Sequence, residues 1–110
     1  MKTYNVILTD QAEKDIADIF EYIAFTLEEF DNAKKQIGRI QNAIDNLETM
    51  PERHKPYEKG SWKNRNTHYF QVDHYVVFYS VDKASSGVFI LRIMYGGRDI
   101  DNQLLYHTDY

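Results

Sequence analysis

Several side chains in the second half of the chain could do acid–base or anion chemistry together. They are Arg65, His68, His74, Arg92 and Arg98, with Tyr69 and Tyr95 interleaved. An RNA-cleaving site without metal needs a base for the 2′-hydroxyl, an acid for the leaving oxygen and a cation on the phosphate. His, Tyr and Arg can supply these roles. Arg92 and Arg98 belong to ILRIMYGGRDI, residues 90–100, an apolar strand that runs into two glycines and then into charge. An arginine inside such a strand must find an anion or a route to water. The plainer reading is that Arg92 pairs with a carboxylate and that the histidines are surface residues.

Other chemistries find no support in the residue pattern. His54, His68, His74 and His107 show no ligand spacing and no HExxH occurs, so no metal site is expected. Gly96-Gly97 opens no helix and carries no phosphate-loop lysine. It reads as a strand end where glycine relieves the backbone, and no cofactor is expected. There is no serine elbow. The chain has no cysteine, which removes disulfides and thiolate catalysis and permits a reducing compartment. The opening MKTYNVILTDQAEKD is too polar to serve as a secretory apolar region, and nothing approaches a membrane span. The expected place is the cytoplasm.

At 110 residues the chain is long enough for one core and too short for two, so residues 1–110 are read as a single domain. The formal net charge is −4, whereas proteins held mainly by phosphate contacts are usually basic. The nine tyrosines suit either strands or partner surfaces.

The elements that must position these residues can be read from periodicity. Residues 3–9 form a first strand. Asp10 is placed as a helix N-cap with Glu13 three residues on, followed by an apolar stripe at Ile16, Ile19, Phe20, Ile23 and Leu27. Asp31 is placed as a second cap. Ala33, Ile37, Ile40, Ile44 and Leu47 then make the narrow seam of one helix in an antiparallel pair, ended by Met50-Pro51. Residues 51–65 read as a basic loop pinned to the body by Trp62. Strands at 66–72, 74–82 and 87–95 follow with short turns, so they pair antiparallel. Their weak alternation implies burial on much of both faces.

The predicted class is α+β: an N-terminal strand, a helix hairpin, then an antiparallel three-stranded meander. The helices cover one sheet face, which leaves the other face and the rim for function. If the strands pair in this way, Arg65, His68, His74, Arg92 and Arg98 gather near one end or one face of the sheet.

With its opening VILTDQAEKDIADIFEYI, the helix AKKQIGRIQNAIDNLETMP, the strand HYVVFYSVD and the closing ILRIMYGGRDI, the chain resembles the RelE/ParE superfamily of bacterial toxins. The specificity lies in the order and spacing of these stretches over about 100 residues, which fits the single-domain size. The resemblance implies the toxin of a type II toxin–antitoxin, or plasmid-stabilisation, system. Such a toxin inhibits growth and is neutralised by a cognate antitoxin in a hetero-oligomer.

The superfamily divides between ParE-like inhibitors of DNA gyrase and RelE-like endoribonucleases that cut mRNA on the 70S ribosome. Val76 stands where the nucleases carry an arginine. Together with the acidic charge and the YGGRDI ending, it favours the gyrase branch; the ribonuclease is the alternative. The residues that the resemblance points to are Arg65, Arg92, Tyr95 and Arg98 for partner binding, and His68, His74, Tyr95 and Arg98 for catalysis if the chain is a nuclease.

Overall fold

The computed structural model describes residues 2–62 and 64–96, with Ser61 described by its backbone alone. Arg98, a candidate for partner binding and catalysis, lies outside the described residues, as do Gly97 and residues 99–110.

Strand β1 (Asn5–Leu8) leads into helix α1 (Asp10–Glu21), a π-helical turn (Tyr22–Thr26) and helix α2 (Phe30–Asp45). Short 3-10 turns follow at Asn46–Glu48 and Pro51–Arg53. Then come β2 (Lys55–Pro56), a third such turn at Gly60–Trp62, and the strands β3 (Thr67–Val72), β4 (Tyr75–Asp82) and β5 (Gly87–Tyr95). The class is the one expected. The sheet has five strands in the order β1-β5-β4-β3-β2. The two-residue β2, unforeseen in the basic loop, extends the antiparallel meander by pairing Lys55 with Tyr69 and Pro56 with His68. Proline suits such an edge, where its missing N–H costs no ladder bond.

β1 runs parallel to β5, with Asn5 opposite Gly87 and Leu8 opposite Ile90. Composition left the position of this strand open. The pairing makes β5 an interior strand, which accounts for its apolar character.

Helix α1 starts one residue earlier than expected, and its cap is Thr9, not Asp10. The Thr9 hydroxyl accepts from the Ala12 N–H at 3.2 Å and donates to the Ile90 carbonyl at 2.7 Å. One side chain thereby caps the helix and ties it to β5, a link that local sequence does not carry. The second expected cap is also corrected. α2 begins at Phe30 after Glu29, with no side-chain cap bond, and Asp31 lies in its first turn.

The main core lies between the helices and the sheet. Ala12, Ile40, Ile44 and Leu47 pack on Val77, Tyr79, Val88, Ile90 and Ile93. The other sheet face is not left open, contrary to expectation. The segment 57–62 folds over it and builds a second core in which Trp62 meets Phe78, Leu91 and Met94. Tyr57 packs edge-on against Trp62, Tyr69 and Phe78 at ring separations of 6.1, 5.8 and 5.1 Å. Edge-to-face packing of this kind suits the charge distribution of aromatic rings.

A bulge explains the weak alternation of β5. Phe78 pairs with Arg92 but Tyr79 with Ile90, so Leu91 is the extra residue. Ile90 and Ile93, three apart, consequently share the helix-side core, while Leu91 and Met94 share the other. In an unbroken strand a spacing of three would send them to opposite faces.

Candidate functional site

Among the described residues, the fold separates Arg65, His68, His74 and Arg92, which the sequence suggested as part of one cluster. Arg65 sits exposed in the turn before β3, at the end of the sheet where Thr67 pairs with Ser80. It lines a groove of about 850 Å³ between the start of α1 and the floor residues Phe89 and Leu91. His74 sits in the turn after β3, at the opposite end. The six residues of β3 hold the two apart by about 20 Å, because a strand rises about 3.3 Å per residue.

His68 lies between these ends and is buried. Its Nδ1 is 3.0 Å from the His54 carbonyl oxygen, its Nε2 is 2.9 Å from Asn66 Oδ1, and its ring stacks on Tyr79. Both ring nitrogens are thus engaged, Nδ1 in holding the 51–56 segment against the sheet and Nε2 on the turn before β3. His54 is stacked in turn on Phe70 at 4.6 Å. Burial, then the charges of Arg53 and His68, hold the His54 imidazole below its ordinary range. The Tyr79 hydroxyl, which donates to the Pro51 carbonyl at 2.5 Å, is pushed upward by burial and stays protonated.

Arg92 turns away from the rim. Its Nε and Nη2 donate to the two oxygens of Asp15 at 2.8 and 3.1 Å, and both side chains are more than nine-tenths buried. The Ile93 N–H donates to the same carboxylate at 2.9 Å. β1 ends at Leu8, so β5 has no strand neighbour on that side beyond Ile90. Asp15 supplies the acceptor that a longer β1 would have given. This placement corrects the expectation of a partner-facing Arg92 and follows the plainer reading, a paired arginine.

What the structure does assemble lies at the β3–β4 turn. Tyr75 pairs with Tyr95 across β4 and β5, their rings 6.0 Å apart, and the His74 ring lies 6.4 Å from Tyr95. His74 and Tyr95 are both exposed. Gly96 donates its N–H to the His74 carbonyl at 2.8 Å, and a Cβ there would sit 3.3 Å from that oxygen and from Val76. Glycine at this position permits the close approach. Helix α2 fixes the turn from the other side. Gln36 Nε2 and Arg39 Nε donate to Asp73 at 2.9 and 2.6 Å, and Arg39 also donates to Gln36. These bonds hold the Asp73 carboxyl below its ordinary value of 3.8. Asp73 itself stands at a φ of +54°, a left-handed conformation that Asp tolerates better than most residues.

Sequence reading missed Asp15, Gln36 and Arg39. Two signals were available. Asp15 lies on the buried stripe with Ala12, Ile19 and Ile23, and Gln36 stands in the seam between Ala33 and Ile40. A polar residue at a core position of a helix needs a partner. Val76 packs on the Trp62 cluster, which gives a packing reason for an apolar residue there. Among the described residues no group of three or more His, Cys, Asp or Glu is placed to hold a metal ion. No described helix is long and apolar enough to cross a membrane.

A family model described as the ParE toxin of the type II toxin–antitoxin system parDE matches residues 6–100. The chain belongs to the ParE toxin family. Solved structures agree in fold with this ParE-family chain. It is similar to a chain of the chromosomal ParDE system from Pseudomonas aeruginosa, with a TM-score of 0.70 and 14% identity over 86% of this chain and 98% of that one. It is also similar to a chain of the RelBE2 toxin–antitoxin complex from Mycobacterium tuberculosis, with a TM-score of 0.57 and 24% identity over 86% and 93%. A free mutant of the Escherichia coli toxin RelE gives a TM-score of 0.63 and 10% identity over 92% of each chain. At these identities the likeness is one of fold. No curated protein matches the sequence. The ParE-family chain is thus a type II toxin of the RelE/ParE superfamily, with the α+β architecture of that group.

Proposed function

We propose that this toxin arrests growth by binding DNA gyrase, and that a cognate antitoxin neutralises it by covering the sheet end around His74 and Tyr95. The observation that carries the reading is the dispersal, among the described residues, of the basic and imidazole groups that the sequence put forward. His68 holds the 51–56 segment, Arg92 is paired with Asp15, and Arg65 stands at the far end of β3 from His74. Arg39, the cation that reaches the turn, is bonded to Asp73. Phosphoryl chemistry without metal needs a base, an acid and a cation within hydrogen-bond reach of one phosphate. A net charge of −4 also disfavours a ribosomal RNA surface. Membership of the ParE family accords with the gyrase branch of the resemblance, and solved relatives that are toxin–antitoxin systems support the antitoxin partner.

The test uses the full-length toxin in a gyrase supercoiling assay and, in parallel, primer extension on mRNA from induced cells. Lost supercoiling with intact mRNA is the expected result. Cleavage within codons and untouched gyrase would replace this reading by a ribosome-dependent ribonuclease. One observation keeps that second reading in play: an exposed His74 and Tyr95 side by side could act as a proton-transfer pair.

A further inference from the structure

The tip of the helix hairpin carries an apolar surface that the proposed site does not use. Tyr22, Phe25, Leu27 and Phe30 fall within nine residues and are 54, 68, 48 and 48% exposed. Periodicity assigns Leu27 to the buried stripe, four residues after Ile23. The structure puts it outside, because the helix changes its hydrogen-bond step. Leu27 N–H donates to the Tyr22 carbonyl at 3.0 Å, an i to i+5 bond, in place of the i to i+4 bond of an α-helix. The wider turn keeps Ile23 and Ala24 on Ala33 inside the hairpin and turns Phe25 and Leu27 outward. A π-helical turn is uncommon and recurs at functional positions.

The rim of this surface is acidic. Glu21, Glu28, Glu29 and Asp31 are all exposed around the four apolar side chains, and residues 21–31 contain no Lys or Arg. Lys34, one turn on, lies over the Phe30 ring at 4.9 Å. Residues 10–31 hold eight carboxylates and one lysine, whereas the rest of the chain is net positive. An exposed apolar stretch interleaved with carboxylates repels nucleic acid and anionic lipid, and it attracts a chain with apolar anchors among cations.

We propose that the α1–α2 tip docks a cationic amphipathic helix of a partner protein, with its apolar face on Phe25 and Leu27 and its lysines or arginines against Glu21, Glu28, Glu29 and Asp31. The inference is independent of the gyrase reading, since it concerns a different surface and a different assay. A helix laid on such a surface is read through anchors at i, i+3, i+4 and i+7.

The test uses the full-length toxin and two synthetic peptides of about 18 residues, five helical turns, with the same leucine pattern. One carries lysine at its polar positions and the other glutamate. Binding is followed by fluorescence anisotropy at low and high salt. The Leu/Lys peptide is expected to bind about tenfold or more tightly than the Leu/Glu peptide, and Phe25→Ser/Leu27→Ser is expected to lose about tenfold, since apolar anchors carry most of such an interface. Ile7→Ser, at an exposed apolar position on β1, should leave binding unchanged. Both variants alter exposed side chains, and an unchanged circular dichroism melt verifies their fold. Equal binding by the parent and the Phe25/Leu27 variant overturns the proposal, because charge alone would then hold the peptide. A concentration-dependent dimer of the parent that the variant abolishes, without peptide binding, also overturns it and makes a second copy of the chain the occupant.

Discussion

Asp15 and Arg92, 77 positions apart, meet through two parallel N–H···O bonds in the interior, and the same carboxylate closes the open edge of β5 at Ile93. One ion pair therefore fixes the packing of α1 on the sheet and the course of the strand that leads to Tyr95. A buried pair of this kind adds little over apolar groups of the same volume, but it is costly to break from one side.

Removal of one partner leaves a buried, uncompensated charge. Asp15→Ala and Arg92→Ala are each expected to cost about 3–5 kcal/mol in urea denaturation, whereas Asp15→Leu/Arg92→Met should recover part of that loss, the Ile93 N–H being left without its acceptor. Singles that cost under about 1 kcal/mol would show that the pair is solvated in solution.

The buried anchor of the cover on the second sheet face is Trp62, with Tyr57 packed beside it. Trp62 is 2% exposed and packs on Phe78 with ring centres 5.7 Å apart. Trp62→Ala should cost about 3–5 kcal/mol, the range for a large aromatic lost from a core. Proteolysis of the variant should open first within 57–62. Uncut chain with unchanged stability would mean that this segment contributes no packing.

Acid should weaken the fold in two windows. His54 is depressed from 6.5, so the unfolded chain binds more protons just below that pH, and stability falls as pH falls through it. Asp73 is depressed from 3.8. Its contribution is complete above that value and is lost as pH falls through the lower folded value. Melting temperatures measured from pH 7 downward should show both. His54→Phe, which keeps a ring on Phe70, should flatten the first window. Arg39→Ala should melt below the parent near neutrality and converge with it in the second. Parallel curves for parent and variants would remove these groups from the account.

Tyr95 is half-exposed, and its loss should change stability by no more than about 0.5 kcal/mol, as is usual for surface substitutions. Tyr95→Ala should nevertheless raise the toxin concentration needed to inhibit supercoiling by about tenfold, the usual cost of an aromatic hot spot. Full inhibition by this variant would place the gyrase contact elsewhere on the chain.

Periodicity and turn chemistry were enough for the order of the two helices and four longer strands and for the α+β class, because each of these is set by contacts a few residues apart. Of the expected seam, Ala33, Ile40, Ile44 and Leu47 are buried, whereas Ile37 is only partly so and Gln36 is buried beside it; Trp62 does pin the basic loop. The resemblance to RelE/ParE toxins rested on the same legible order, and the family match bears it out. Long-range pairing decided the rest. The parallel contact of β1 with β5 joins segments about eighty residues apart, and the bulge at Leu91 depends on the register of β4 against β5. They carry Arg92 to Asp15, while the length of β3 parts His74 from Arg65. The outward turn of Leu27 depends on a π-helical step that a four-residue repeat cannot announce. Sequence by itself determined which side chains could take part in chemistry or packing. Only the tertiary structure decided which of them meet, since a one-residue change in register moves a side chain to the other face of the sheet.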